Sequence, residues 1–409
     1  MTDSTNADGE TVLAKAWQRF HAAQTEVLGW MTTSPRYAEW PQHRAKAYHT
    51  MMEALAMAYN FAVAPRMANP RVQVNTGWFS DFYTLGQNGP DLFYAVMFLD
   101  GAQEYRLTGN MGESPLVLFQ LLNHLSGHPD SRAISNHDFA DFKIGADGSY
   151  DIALSAREQP GNWIALDPAC DRHFVLVRRF MGHPGDRPAT MHLARTSEIA
   201  PDHYAADEFD PVAVARRIDT ATDFLKYLIK DFNMGLFDFY SGVGGGYNNM
   251  AFLPGTITSQ VGSPTSNYAM AVFNLAEDEA LVITLDPLPD GVYWSFQLGD
   301  VWSRSLDFGA RQTSLAMSQI KVDADGACRV VVAHRDPGIA NWLDTCRRHQ
   351  GTVVFRNYKA TGQPVPDTRL VKLADLAAAL PADTALVTTE ERAATLDKRR
   401  RAYIQLHGE

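Results

Sequence analysis

Two short segments carry the side chains best suited to chemistry. One is Trp302-Ser-Arg-Ser-Leu-Asp307. Here Arg304 could hold a carboxylate or sulfate, or stabilise a transition state, while Asp307 takes or gives a proton. The other is Asn75-Thr-Gly-Trp-Phe-Ser-Asp81, where Asp81 is a second candidate acid or base. Glu104 and Asp300 add further carboxylates. Two carboxylates flanking a glycosidic bond can hydrolyse it, one protonating the leaving oxygen. His334 and His349 flank an Asn-Trp pair, and His334 is a third candidate for acid-base work. Trp78, Tyr105, Tyr247, Asn248 and Trp302 offer stacking surfaces and polar contacts to a substrate. Until the fold brings them together, each of these charges serves equally as a surface ion pair or a turn residue.

Other motifs exclude more than they support. His124 and His128 are four apart with His137 beyond, and His183 and His192 form a second group. The Ser-Gly between the first pair and the Pro after it oppose a helix, and no Glu follows His124, so the zinc-protease pattern is absent. Neither group adds a clear carboxylate ligand, and no metal is expected; a metal-dependent enzyme using these histidines is kept as an alternative. Gly242-Val-Gly-Gly-Gly-Tyr-Asn-Asn249 lacks the Lys-Ser of a phosphate loop. Its glycines suit a flap over a cleft, facing the 302–307 segment through Tyr247 and Asn248. No Gly-x-Ser-x-Gly elbow marks a serine hydrolase.

The elements that must position these residues are strands, and they occur twice. In Val292-Tyr-Trp-Ser-Phe-Gln-Leu298, Trp294, Phe296 and Leu298 share one face, as in a half-buried strand. Phe119-Gln-Leu-Leu-Asn123 resembles Phe296-Gln-Leu-Gly-Asp300, and Ala146-Asp-Gly148 resembles Ala324-Asp-Gly326. Arg157-Glu-Gln-Pro-Gly-Asn-Trp163 resembles Arg335-Asp-Pro-Gly-Ile-Ala-Asn-Trp342, and Val175-Leu-Val-Arg178 resembles Val353-Val-Phe-Arg356. The order is the same, and the gaps are near-equal: 28 residues from Phe119 to Asp147 against 29 from Phe296 to Asp325. Two copies of one sandwich unit are expected, with the repeated residues, Trp163 and Trp342 among them, serving the frame. Candidate functional residues are therefore sought where the copies differ.

Trp294-Ser-Phe-Gln-Leu, Trp302, Asp336-Pro-Gly followed by Asn341-Trp-Leu-Asp-Thr345, and Tyr105-Arg-Leu-Thr-Gly-Asn110 together resemble the DUF1214 family, often found with DUF1254. The resemblance is clearest over residues 268–357 and weaker over 88–180. It implies tandem jelly-roll sandwiches, distantly similar in architecture to bacterial-type peptide N-glycanases, and brings no general activity or cofactor. The chain departs from the family pattern at Cys346-Arg-Arg-His349, where members often have Ala-Gly-His.

Helical periodicity marks residues 10–35, the stretch after Pro41, Pro211–Ile229 and the tail after Thr389. The expected organisation is a helical N-terminal region (1–66), a first β-sandwich (67–205), a helical connector (206–240), a second β-sandwich (241–370) and a C-terminal helical segment (371–409). The fold is thus mainly β with flanking helices. The basic run Lys398-Arg-Arg-Arg401 is expected on a solvated helix face.

A length of 409 residues suits two domains. A net charge of -11 argues against nucleic acid or an anionic membrane surface as partner. No apolar run is long enough to span a bilayer. The polar, acidic start lacks the features of a secretory signal, and Cys170, Cys328 and Cys346 have no paired spacing. A cytoplasmic home is expected; nothing sets an oligomeric state. The leading expectation is a cofactor-independent enzyme, hydrolase or lyase in class. It would act by acid-base chemistry on a small glycoside-like or aromatic polar molecule in a cleft between the sandwiches. A non-catalytic module binding carbohydrate or a partner is the alternative.

Overall fold

The two β-rich regions form the same eight-strand unit. The first contains β1 (Leu92–Leu99), β2 (Tyr105–Asn110), β3 (Val117–Leu122), β4 (Ala133–Asp138), β5 (Ser149–Ser155), β6 (Asn162–Ala165), β7 (His173–Phe180) and β8 (Thr190–Arg195). After a short edge strand, β9 (Ala251–Phe252), the second contains β10 (Ser266–Asn274), β11 (Glu279–Leu285), β12 (Tyr293–Gly299), β13 (Ser314–Ala316), β14 (Cys328–Ala333), β15 (Trp342–Asp344), β16 (Gln350–Tyr358) and β17 (Asp367–Lys372). A computed structural model describes residues 2–39, 41–74, 83–199, 209–242, 245–252 and 265–407.

Among the described residues the strands make four sheets, two per unit. Sheet β1-β7-β3-β4 packs on β6-β5-β2-β8, and β13-β12-β16-β10-β9 packs on β15-β14-β11-β17. Apart from β9, each strand of the second unit holds the place of its counterpart in the first. The central pairings match: β1 runs antiparallel to β7 from Leu92↔Phe180 to Leu99↔His173, and β10 to β16 from Ser266↔Tyr358 to Asn274↔Gln350. Even the parallel pairs recur, β5 with β6 and β14 with β15.

The Asn-Trp pairs explain why those residues repeat. Trp163 Nε1 donates to the Ser155 carbonyl at 3.1 Å, and Trp342 Nε1 donates to the Ala333 carbonyl at 3.1 Å. Asn162 Oδ1 accepts from Lys143 N at 2.8 Å, and Asn341 Oδ1 accepts from Lys321 N at 2.8 Å. Each pair ties a parallel edge strand to its neighbour and satisfies polar groups that burial would otherwise strand. Both belong to the frame, as the duplication implied.

The inner sheets are buried on both faces, one packed in the sandwich core and the other mixing apolar residues with buried polar ones such as Gln120, Arg178, Gln297 and Arg356. In β1, Ala95, Met97 and Leu99 enter the first sandwich core, while Val96 and Phe98 point the other way. That outward face meets helices α1 (Thr2–Thr32), α3 (Pro41–Ala58), α4 (Pro211–Tyr227) and α5 (Gly235–Ser241), together with Val272, Trp302 and Val354 of the second unit. Helix α2 (Pro35–Glu39) leads into α3. Asp210 caps α4 by accepting from Val212 N at 2.9 Å, and Arg19–Asp219 and Lys226–Glu26 pairs join α1 to α4. Elsewhere the units meet through an aromatic cluster in which Phe180 lies 4.5 Å from Tyr358 and 5.0 Å from Tyr293.

Among the described residues, helices and the aromatic cluster occupy part of the seam where a cleft was expected, and a small pocket of about 30 Å³ lies there between Asp91, Met181 and His183 of the first unit and Phe308, Ala316 and Arg399. The basic C-terminal run also departs from expectation. In helix α6 (Thr389–His407), Arg400 and Arg401 pair with Asp397. Arg399 is buried instead, donating to the Ser314 Oγ and carbonyl at 3.0 and 2.6 Å, and burial lowers its guanidinium to about 10. Arg392 lies over Trp342 and pairs with Asp336. These two arginines pin α6 to the second unit.

Candidate functional site

An open, polar cleft of about 300 Å³ lies at the margin of the second sandwich. Helix α3 contributes Lys46, the β12–β13 loop Asp300, Arg304 and Asp307, the β15–β16 turn Arg348, and α6 Tyr403. In the first unit the Leu125-Ser-Gly-His-Pro loop is pressed against α4, where a Cβ on Gly127, at φ +98°, would come within 2.8 Å of the Asp223 carbonyl.

A tight turn after β12 shapes the loop. Asp300 Oδ1 accepts from Trp302 N at 2.9 Å and from Arg304 N at 3.1 Å. Ser303 sits between them at φ 49°. Ser305 N donates to the Thr84 carbonyl at 2.8 Å, which holds the returning chain. Arg304 is not open to a ligand: it pairs with Glu53 of α3 at 2.8 Å, with both side chains under a tenth exposed. Thr84 Oγ1 donates to the same carboxylate at 3.2 Å. Asp307 is exposed, and its Oδ1 accepts from Ala310 N at 2.9 Å.

On the opposite wall the backbone is strained. Cys346 and Arg347 occupy left-handed conformations at φ 52° and 61°, a cost of about 1–2 kcal/mol each for non-glycine residues. Asp344 Oδ1 holds the turn by accepting from Cys346 N at 2.7 Å. The result brings half-buried Arg348 into the cleft, its guanidinium donating only to the Cys346 carbonyl at 3.3 Å among the described residues. Lys46 is also half-buried and has no ion-pair partner among the described residues. Burial, then the neighbouring Arg304, lowers its ammonium below the usual lysine range. Tyr403 closes the end, its ring 5.8 Å from Phe308 and packed on Gly309, where a Cβ would meet it at 3.0 Å.

Beneath the site lies His43, 2 % exposed, its carbonyl accepting from the Trp302 indole at 3.0 Å. Its Nε2 has no hydrogen-bond partner among the described residues, and burial lowers the imidazole to about 4 against the pull of Asp300; Arg348, Arg36 and His349 push the same way as burial. The unfolded chain protonates this histidine below about 6.5 while the folded chain stays neutral down to about 4. The unfolded state then holds more protons across that window, so stability rises with pH through it. Acidification from pH 7 to pH 4 is expected to remove about 2 kcal/mol through this group. Urea unfolding at several pH values checks this: the slope should flatten in His43→Gln, and identical slopes would show that His43 is not held neutral.

Of the residues singled out in the sequence, the cleft collects Asp300, Arg304 and Asp307. Trp302 is fully buried under the helices and lines no open surface. Tyr105 is 1 % exposed in the first sandwich core, its hydroxyl bonded to the Asp100 backbone. His334 is buried between Thr345 Oγ1 at 2.7 Å and the Leu275 carbonyl at 3.2 Å. Asn248 clamps Asn274 through two 2.8 Å bonds, and exposed Tyr247 bridges to Val272 beside β10, so the described part of the glycine loop is not the flap expected over residues 302–307. Trp78 and Asp81 lie outside the described residues. His124 and His128 stack at 3.9 Å, but among the described residues no three His, Cys, Asp or Glu side chains gather as a metal site. No helix among the described residues is long and apolar enough to cross a membrane. Lys46, Arg348 and Tyr403 were missed. Only Arg348 had a signal, the departure of Cys346-Arg-Arg-His349 from the resembled pattern.

Residues 96–184 and 272–362 match the model of DUF1214, a protein family of unknown function. A solved structure of an uncharacterized protein from Burkholderia cenocepacia is similar, with 27 % identity, a TM-score of 0.78, and coverage of 90 % of this chain and 99 % of that one. The VPA0106 protein from Vibrio parahaemolyticus shares 13 % identity at a TM-score of 0.46, over 78 % of this chain and 97 % of that one. No curated protein matches the chain.

Proposed function

This chain carries two tandem DUF1214 domains, and we propose that the cleft on the second is a substrate site for acid-base chemistry on a small polar molecule, glycoside-like or aromatic. One observation carries the reading. Two half-buried cations, Lys46 and Arg348, line one cleft and neither has a carboxylate partner among the described residues. Asp300 and Asp307 line the same cleft without a hydrogen bond to either cation, so the arrangement offers charged donors and acceptors together to an arriving polar group. The role expected of Arg304 passes to these two, because Glu53 already neutralises Arg304. Asp307 keeps its Oδ2 available to take a proton or accept a hydroxyl. Tyr403 supplies an aromatic wall.

A binding module for carbohydrate is the second reading, and Asp300 favours it. One oxygen of that carboxylate is engaged by two backbone N–H groups, which leaves Asp307 without an equally available acidic partner for glycoside hydrolysis. A cytoplasmic setting suits three cysteines that are all unpaired.

Calorimetry with a panel of glycosides, sugar acids and aromatic carboxylates tests the site. Arg348→Met should weaken any panel ligand that binds by roughly 10–100-fold, as expected for loss of a charged hydrogen bond, with the melting temperature nearly unchanged. A ligand held equally well by wild type, Arg348→Met and Lys46→Met binds elsewhere and sinks the reading.

A further inference from the structure

We propose that Lys46 is the nucleophile of the cleft, its amine condensing with the carbonyl of a small hydroxyaldehyde or hydroxyketone to form an imine; this rests on the cleft being the substrate site. Lys46 reaches the cleft from α3, half-buried, and Asp300 and Asp307 line the same space. Its Nζ makes no ion pair or hydrogen bond with either carboxylate, nor with any other described residue. A lysine serving stability alone gains by pairing with such a carboxylate; this amine stands apart. The Arg304 guanidinium is fixed in the same lining by Glu53 at 2.8 Å, and Arg348 enters from the opposite wall. An amine partly withdrawn from water beside other cations releases its proton more readily, which is how a lysine becomes nucleophilic. Burial, then Arg304, lowers the Lys46 ammonium, and Asp300 and Glu53 only partly offset them.

The cleft also holds a carrier for the protons that the condensation moves. The Nζ lone pair adds to the carbonyl carbon, and the C=O π pair moves onto oxygen, which takes a proton. A second proton lets that oxygen leave as water while nitrogen forms the C=N bond. Two protons leave nitrogen and two reach oxygen, so amine and carbonyl give imine and water with no change of oxidation state. Asp307 is exposed, and its Oδ2 has no donor among the described residues, so it can pass protons between nitrogen and oxygen. The charged lining gives hydroxyl groups both donors and acceptors. A volume of about 300 Å³ is at the small end for ligand sites and suits a molecule of roughly three to six carbons.

Treating the full chain with dihydroxyacetone or D-glyceraldehyde and sodium borohydride, which delivers hydride to an imine carbon, tests this by peptide mass spectrometry. The secondary amine should form at Lys46 about tenfold more than at any other lysine, and about tenfold more slowly in Asp307→Asn. Labelling spread evenly over the lysines overturns the proposal. Acetic anhydride reads the amine without a ligand: Lys46 should acetylate at a lower pH than the other lysines, and an equal pH dependence overturns the proposal. A compound bound in calorimetry that shields Lys46 from acetic anhydride, with no hydroxycarbonyl trapped there, overturns the imine and leaves the cleft standing. A bound compound that leaves Lys46 acetylation unchanged overturns the cleft and the imine together.

Discussion

Arg304→Ala is expected to destabilise the protein by about 3–5 kcal/mol, because it leaves the Glu53 carboxylate buried without its counter-charge. Read from sequence as a ligand-holding residue, Arg304 should tolerate removal. The structure reverses that expectation. Its guanidinium reaches Glu53 through Nε at 3.3 Å and a terminal nitrogen at 2.8 Å, bridging the β12–β13 loop to α3. The pair holds one wall of the cleft against the other. Urea unfolding of the single variant and of Glu53→Leu/Arg304→Met separates the causes. The double variant removes both charges and should recover most of the loss. A single-variant midpoint equal to wild type would show that the pair is solvated and holds nothing.

Asp307→Asn should have the largest effect on any reaction. Amide for carboxylate keeps size and the Ala310 N–H bond but cannot carry a proton, so turnover should fall about 10²–10⁴-fold. Ligand affinity should change much less, because Lys46 and Arg348 still meet the polar group. Stability should stay within about 0.5 kcal/mol, as for an exposed surface substitution. A turnover number unchanged by Asp307→Asn would remove Asp307 from the chemistry. Binding across the panel with no turnover in wild type would select the binding module instead.

The architecture was legible because a sandwich imposes a short-range code. Phe296 and Leu298 must share a face with Trp294, and Asp-Gly and Pro-Gly turns must recur wherever the same hairpins do. Two copies of that code at equal spacing left little freedom. Asn162-Trp163 and Asn341-Trp342 were rightly assigned to the frame, since both pairs make the same bonds. The site was only half legible. Arg304 and Asp307 were found by searching where the copies differ, but the partner of Arg304 lies on α3, more than 240 positions away in sequence. Trp302 illustrates the limit. An aromatic residue beside charged neighbours reads as a stacking surface, yet α3 covers it, with the His43 carbonyl taking its N–H. Lys46 has helical neighbours on both sides and nothing local that marks it. Arg348 stood in a loop where two non-glycine residues take left-handed backbone, a strain invisible in composition but consistent with a position held for its side chain.

The central claim is that the cleft between α3, the β12–β13 loop and the Arg348 turn holds the ligand. A crystal structure of the chain grown with the panel's tightest-binding compound tests it most directly. The account predicts density for that compound in the cleft, its polar group about 3 Å from both Lys46 Nζ and the Arg348 guanidinium and a donor group on Asp307. The compound found elsewhere on the molecule, with only solvent between Lys46 and Arg348, would contradict it.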